Sequence, residues 1–217
     1  MKITVCGAGN SAMGMAADMA FMGHDVNMFE LPQFEVNLVP IKEQGGVVLN
    51  GPSQSGKNGF AALADVTSDP TTAFKGVEII MFALPCFGHR AFMEIITPHL
   101  EDGQIIVFNT GYWASIRFQG LLKEHKKNVI LAETSLHVYL CRKTGPAEAT
   151  VDAVKQKRLF CAMPSNKTEE ALAKLKPIYP QFMAAKQFLD IHFNNFNHMV
   201  HGPIALLNTG QIEALNE

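Results

Sequence analysis

Lys2-Ile-Thr-Val-Cys-Gly7-Ala8-Gly9-Asn10-Ser11-Ala12 decides the fold. A short strand-like run (Ile3–Cys6) meets a glycine turn, and the turn opens a helical stretch at Ser11–Met22. This is G-x-G-x-x-A in the strand–turn–helix setting that the dinucleotide fingerprint requires. Gly7 permits the tight turn and Gly9 lets backbone approach a pyrophosphate. Ala12 keeps helix and strand close, while Ala8, Asn10 and Ser11 complete a loop at a helix N-terminus that favours negative charge. Glu30 ends the next strand, Asp25–Glu30, about twenty residues on, where a carboxylate suits adenine-ribose hydroxyls. No Arg or Lys stands beside Glu30. NAD(H) is therefore the expected cofactor, with NADP(H) as the alternative.

Outward from this unit, strands and helices alternate, the pattern of an α/β, Rossmann-like, doubly wound and mainly parallel sheet. Leu31–Pro40 reads as a loop. Gly45–Asn50 and Gly59–Val66 read as short strands, Thr71–Phe74 as a brief helix and Val77–Leu84 as a buried central strand. Helix Arg90–Leu100, strand Gln104–Phe108, helix Ser115–His125 and strand Val129–Glu133 follow. Ala149–Val154 and Arg158–Ala162 are expected to form an edge hairpin, Thr168–Ile178 a helix and Gln187–Ile191 a last strand. Residues 1–192 are thus expected to be the dinucleotide-binding domain. From Asn194 the period turns helical and holds to Glu217, where the sequence stops without a glycine cap, a proline or a basic last turn. Its apolar side chains need cover, so 193–217 is read as the first helix of a truncated or missing helical domain.

The 217 residues are 47% hydrophobic and 18% charged with a net charge of −2, which gives no electrostatic case for nucleic acid or an anionic membrane. No apolar run is long enough to span a bilayer, and no signal-peptide pattern precedes the first strand. Cys6, Cys86, Cys141 and Cys161 are widely spaced, without zinc-site pairing, so a reduced, cytoplasmic compartment is expected. Gly51-Pro-Ser-Gln-Ser-Gly56-Lys57-Asn58 imitates a P-loop but lacks the Ser or Thr after Lys57, and reads as a solvated loop.

Two loops, Pro85-Cys86-Phe87-Gly88-His89 and Asn109-Thr110-Gly111-Tyr112, follow central strands at the edge where such a sheet binds its ligand. Pro85, Thr110 and Gly111 are expected at the nicotinamide side. His89 reads either as a cofactor contact or as a polar group at a helix start. Cys86 has no paired base and reads as filler. Farther on, Asn194, Asn197, His198 and His201 fall on neighbouring helical ridges. That strip reads equally as acid–base machinery and as a solvated face. Metal binding by His192, His198 and His201 lacks a carboxylate or thiolate at matching spacing, and no metal is expected.

The chain resembles the N-terminal portion of the opine dehydrogenases, the octopine/nopaline dehydrogenase group. The resemblance rests on Gly7-Ala-Gly-Asn-Ser-Ala12, Glu30-Leu-Pro-Gln-Phe34 and Pro98-His-Leu-Glu-Asp-Gly-Gln-Ile-Ile-Val-Phe-Asn-Thr-Gly-Tyr112. It continues through Ala132-Glu-Thr-Ser135, Cys141-Arg-Lys-Thr-Gly-Pro-Ala147 and the Asn195–Glu213 run. The resemblance implies reductive condensation of an amino acid with an α-keto acid such as pyruvate, with NAD(P)H as reductant. It matches His201 to the family's catalytic histidine and places Glu133, Asn197 and Asn208 on the substrate side. It also implies a helical C-terminal domain that supplies an aspartate to the histidine; the uncovered apolar last helix is expected to dock such a domain or to pair with its twin in a homodimer. The alternatives are reduction of a small oxo acid or triose phosphate, and a non-catalytic NAD(H)-binding module.

Overall fold

The first strand, β1 (Lys2–Cys6), ends in the glycine turn, and α1 (Asn10–Phe21) returns the chain to β2 (Asp25–Phe29). The computed structural model describes residues 1–195 and 197–214. Residues 32–44 are helical and not an open loop: a 3-10 turn at Pro32–Asn37 leads into α2 (Val39–Gln44). Both prolines stand in the first turn of their helix, where the missing N–H costs nothing.

The chain continues with β3 (Gly46–Asn50), β4 (Gly59–Ala62), β5 (Asp65–Thr67), α3 (Pro70–Phe74), β6 (Ile79–Phe82), α4 (His89–Ile96) and β7 (Ile105–Asn109). Then come α5 (Ala114–Glu124), β8 (Ile130–Thr134), β9 (Tyr139–Gly145), β10 (Glu148–Val154), β11 (Arg158–Met163), α6 (Thr168–Leu175) and β12 (Phe182–Ala184). The last helices are α7 (Phe188–Phe193), α8 (Asn197–Leu207) and α9 (Thr209–Ala214).

Among the described residues the strands form two sheets. The larger has the order β12-β11-β8-β7-β6-β1-β2-β5. From β5 to β8 every pairing is parallel, and β11 then runs antiparallel to β8. The stretch β5-β2-β1-β6-β7-β8 is the Rossmann order, with its reversal between β1 and β6. β6, β7 and β8 are buried along their whole length, as expected of strands covered on both faces.

The second sheet, β4-β3-β10-β9, revises two expectations. The run 59–66 splits, so that β4 pairs with β3 while β5 joins the edge of the large sheet. The hairpin partner of β10 is β9, and β11 lies in the other sheet against β8. Residues 187–191 are not a strand. Gln187 and Asp190 make a reciprocal capping box that starts α7, and the last strand is the short β12 before it. The stretch from Asn194 is two helices, with Asn208 between α8 and α9; residues 215–217 lie outside the described residues.

Helix α1 lies between the sheets, in contact with β1 and β2 on one side and β3, β4, β9 and β10 on the other. Its burial all round follows from small and flexible apolar residues such as Ala12, Met13, Gly14, Ala16 and Ala17. A methyl on Gly14 would collide with Cys141 Sγ. On the opposite face of the large sheet, Phe29, Phe74, Phe82, Phe92 and Phe108 form a second core.

His89 belongs to this aromatic core. Its ring is fully buried, edge-on to Phe82 at 5.7 Å and tilted on Phe108 at 5.1 Å. Burial, reinforced by the Arg117 charge, lowers it to about 4. An unfolded chain therefore takes up a proton near pH 6.5 that the folded chain refuses until about pH 4. Stability is retained above that window and falls as pH drops through it, by up to about 3 kcal/mol. Replacing His89 with Leu should flatten this part of the pH–stability curve, measured by urea unfolding between pH 7 and pH 4.

Candidate active site

A crevice of about 360 Å³ opens at the C-terminal ends of the parallel strands, across the reversal between β1 and β6. One end is formed by Gly9, Asn10 and Ser11 at the start of α1. Ala83 to Cys86, after β6, form its floor. Asn109, Thr110 and Tyr112 follow from β7, then His137 from beyond β8, and Asn197 from the first turn of α8.

The glycine loop suits a pyrophosphate. Gly7 takes φ +105°, and a Cβ there would press on the Ala83 carbonyl oxygen at 3.2 Å. Gly9 has nothing within 4 Å of where a side chain would start, which leaves space for a ligand against the backbone. No side-chain bond caps the N-terminus of α1, so its leading N–H groups keep their capacity for an anion. Ala8 and Ala12 are buried beneath the loop. Asn10 ties the loop to the second sheet: its Oδ1 accepts from the Lys143 N–H at 2.8 Å, and its carbonyl accepts from Cys141 Sγ at 3.1 Å.

Glu30 sits just past β2, nearly buried, with Oε2 accepting from Ala8 N–H at 3.1 Å and Oε1 from Leu31 N–H at 2.9 Å. Burial raises its pKa, and those two backbone donors, Leu31 foremost, partly oppose the rise. The Glu30 carboxylate thus braces the glycine loop through the Ala8 N–H.

The loop after β7 is bent hard. Thr110, Tyr112 and Trp113 all take positive φ, at 69°, 49° and 69°. Such conformations cost about 1 kcal/mol or more each in non-glycine residues and persist only under outside restraint. Glu133 supplies that restraint. Its fully buried carboxylate accepts from Ser115 N–H at 2.7 Å and Trp113 N–H at 3.2 Å, and Thr134 Oγ1 accepts from Thr110 N–H at 3.1 Å. Burial raises the Glu133 pKa despite the Ser115 and Trp113 bonds. Its Oε2 lies 3.7 Å from His192 Nε2, and the His192 ring stacks on Trp113 at 3.6 Å.

The structure thus brings together Gly9, Asn10, Ser11, Pro85, Thr110 and Asn197 around one crevice. Gly7, Ala8, Ala12 and Glu30 support it from below. Gly111 lies against Glu133, beneath the loop. His89 does not reach the crevice, because its ring is enclosed by phenylalanines. Glu133 is sealed under the 110–115 loop, so its position is that of a brace and not of a substrate contact. Asn208, just past the end of α8, turns its amide back to the Ile204 carbonyl at 2.8 Å. His201 is exposed on α8, one turn beyond Asn197. The side chain of His198 lies outside the described part. His192 stacks on Trp113 and lies beside Glu133. His137, on the crevice wall, escaped the sequence reading, since a histidine outside any strand or helix pattern carries no local signal.

No family model matches the chain. It is 28% identical over 212 residues to an opine dehydrogenase from Arthrobacter sp. (strain 1C), covering 97% of this chain and 58% of that one. The chain resembles the N-terminal part of an opine dehydrogenase. Among solved structures, octopine dehydrogenase with NADH and pyruvate aligns over 92% of this chain and 53% of its own length, with TM-score 0.77 and 21% identity. Yersinopine dehydrogenase with NADP+ aligns over 95% and 52%, with TM-score 0.73 and 17% identity. These likenesses match the Rossmann-like fold. The chain spans about half the length of these relatives.

The tightest constraint beside the crevice is Gly111, where a methyl would overlap the Glu133 carboxylate. Gly111→Ala should cost about 2–4 kcal/mol, because the carboxylate must leave its two amides. Gly120→Ala, on α5 with open space around it, should be neutral or slightly stabilising. Denaturant melts of the two variants test the contrast.

Proposed function

We propose that this chain is the NAD(H)-binding part of an opine-type dehydrogenase, which condenses an amino acid with an α-keto acid such as pyruvate and reduces the product. The observation that carries the reading is the uncapped N-terminus of α1, facing open space at Gly9 within a crevice at the sheet's reversal. The names of the relatives point to the same chemistry.

In this reading the amides of the Gly7–Ala12 loop hold the pyrophosphate and Glu30 receives the adenine-ribose hydroxyls. A carboxylate at that place repels a 2′-phosphate, which favours NAD(H) over NADP(H). Pro85, Thr110 and neighbouring backbone flank the nicotinamide side. When bound, the reduced nicotinamide supplies the hydride that turns the imine carbon into that of a secondary amine. Asn197 faces the crevice and His201 follows at i+4 on the same ridge of α8. His201 acts there as proton donor and acceptor while the amine adds to the keto acid and water leaves. Glu133 takes the role of a brace for the loop beside the substrate.

Residues 1–192 form the dinucleotide-binding unit in this proposal, and 193–217 begin a helical substrate unit. Support comes from α8, where Met199, Leu206 and Leu207 are 74–82% exposed. Such a face needs cover from a further helical domain or a second copy. The four cysteines are free thiols, in keeping with a reducing, cytoplasmic compartment. No helix of the described residues is long and apolar enough to cross a membrane.

Incubation with NADH, pyruvate and mixed amino acids should yield a secondary-amine dicarboxylate by mass spectrometry, dependent on both pyruvate and one amino acid. His201→Ala should abolish that product and leave NADH affinity unchanged; retained turnover would remove the acid–base assignment. Glu30→Ala should weaken NADH by about tenfold and NADPH by less in fluorescence titrations. Equal losses would remove the argument for NAD.

A further inference from the structure

Between Lys2 and Lys42 the sequence has no Lys or Arg, and the glycine loop, α1 and Glu30 all fall in that stretch. The loop therefore has no cationic side chain of its own to set against an anion. It also has a carboxylate close by, since Glu30 Oε2 lies 3.1 Å from the Ala8 N–H. The backbone dipoles at the start of α1 are left to offset both that carboxylate and an incoming ligand charge. A cation brought from another part of the fold would relieve them.

Strand β9 crosses against α1 and brings one. Cys141 Sγ donates to the Asn10 carbonyl at 3.1 Å, and a methyl on Gly14 would meet the same sulfur, so the Cys141 side chain faces the helix. From Cys141 to Lys143 the ladder with β10 is regular, with Val151, Thr150 and Ala149 opposite in turn. Alternate residues of a strand share a face. Lys143 thus projects from the helix-facing side of β9, as Cys141 does, and Arg142 from the outer side. The Lys143 N–H donates to Asn10 Oδ1 at 2.8 Å, which fixes its backbone beside the loop.

The charges around Lys143 are engaged, and Lys143 is not. Arg142 pairs with Asp152 at 3.1 Å, and Glu148 accepts from Asn50 Nδ2 at 2.7 Å. Lys143 is exposed, and among the described residues its ammonium has neither an ion pair nor a hydrogen bond. Its flexible stem lets the charge reach over the start of α1.

We propose that Lys143 is the cation of the dinucleotide site, its ammonium meeting the pyrophosphate from the second sheet while the amides of α1 meet it from the first. The contact rests on the dinucleotide reading of the crevice. Asn10 acts as the spacer, since its side chain holds β9 at a set distance from the helix start. The phosphates that Lys143 meets are common to NADH and NADPH, so it adds affinity without choosing between them.

Equilibrium titration of the whole chain with NADH and with ADP-ribose, which lacks the nicotinamide ring, tests the contact. At about 20 mM salt, Lys143→Gln should weaken both ligands alike, by about five- to tenfold. At about 300 mM salt the difference from the native chain should shrink to about twofold, because an exposed charge is screened. Arg142→Gln removes the same charge one residue away on the outer face, and should leave both affinities within about twofold. Lys143→Arg should keep most of the native affinity. The denaturation midpoint without ligand should be unchanged in Lys143→Gln. Equal losses in Arg142→Gln and Lys143→Gln would reduce the effect to net charge and overturn the contact. A loss confined to NADH, or one matched by a fall in the unliganded midpoint, also overturns it. If the native chain binds ADP-ribose and Lys143→Gln binds it equally well, the contact falls and the dinucleotide reading stands. If the native chain binds neither ligand, both fall.

Discussion

Everything in this molecule is arranged around one helix buried on both sides by sheet. α1 must satisfy a strand layer beneath it and another above it, so its buried stretch from Ala12 to Met19 is made of small or apolar residues with one exception. That exception is Asp18, a fully buried carboxylate. It accepts hydrogen bonds from the Tyr139 hydroxyl and from the Gln54 and Ser55 N–H groups. A single buried charge with several donors specifies where the helix sits, since removing any donor strands it. The loop that imitates a P-loop is therefore part of a scaffold: its backbone grips the helix, and Lys57 Nζ donates to the Phe21 carbonyl at 3.0 Å.

The same economy governs the crevice. α1 ends in a bare N-terminus, and its positive end is left for a ligand. The opposite wall is strained backbone, held in place by a carboxylate that never meets the crevice. Glu133 reaches through its amide bonds to the 110–115 loop and lies beside His192, whose ring lies on Trp113. Through this chain of contacts α7, and with it the start of α8, is joined to that wall of the crevice.

Much of this was legible in the residues. The glycine loop, Glu30 and the strands up to β8 follow from the fingerprint and from apolar runs in register with parallel pairing. The second sheet was not, because the partner of a short apolar run is chosen by tertiary contact: Ala149–Val154 has nothing local to say that it joins Tyr139–Gly145 and not Arg158–Met163. Residues 187–191 are short and apolar, and such runs suit strand or helix equally. The Gln187 and Asp190 pair was the available sign of a helix. At His89, a polar residue at a helix start suggests solvent, yet the helix turns it onto Phe82 and Phe108. Glu133 was singled out for substrate and proves to be a buried brace; the buried carboxylate was identified, its task was not. His137 had no pattern to announce it, since its position depends on where the loop after β8 crosses the crevice.

The second sheet has a consequence for how the chain comes to be folded. Its strands come from two distant segments, with Val48 beside Glu148 and Leu49 beside Ala149. On a growing polypeptide, the phosphate-loop helix is made within the first two dozen residues but waits for residues 139–154 before its outer face is covered. Non-local closure of this kind is slow and leaves apolar surface open meanwhile. The earliest-made element of the crevice is thus among the last to be sealed, and that interval is when a nascent chain of this design most needs shelter from its neighbours.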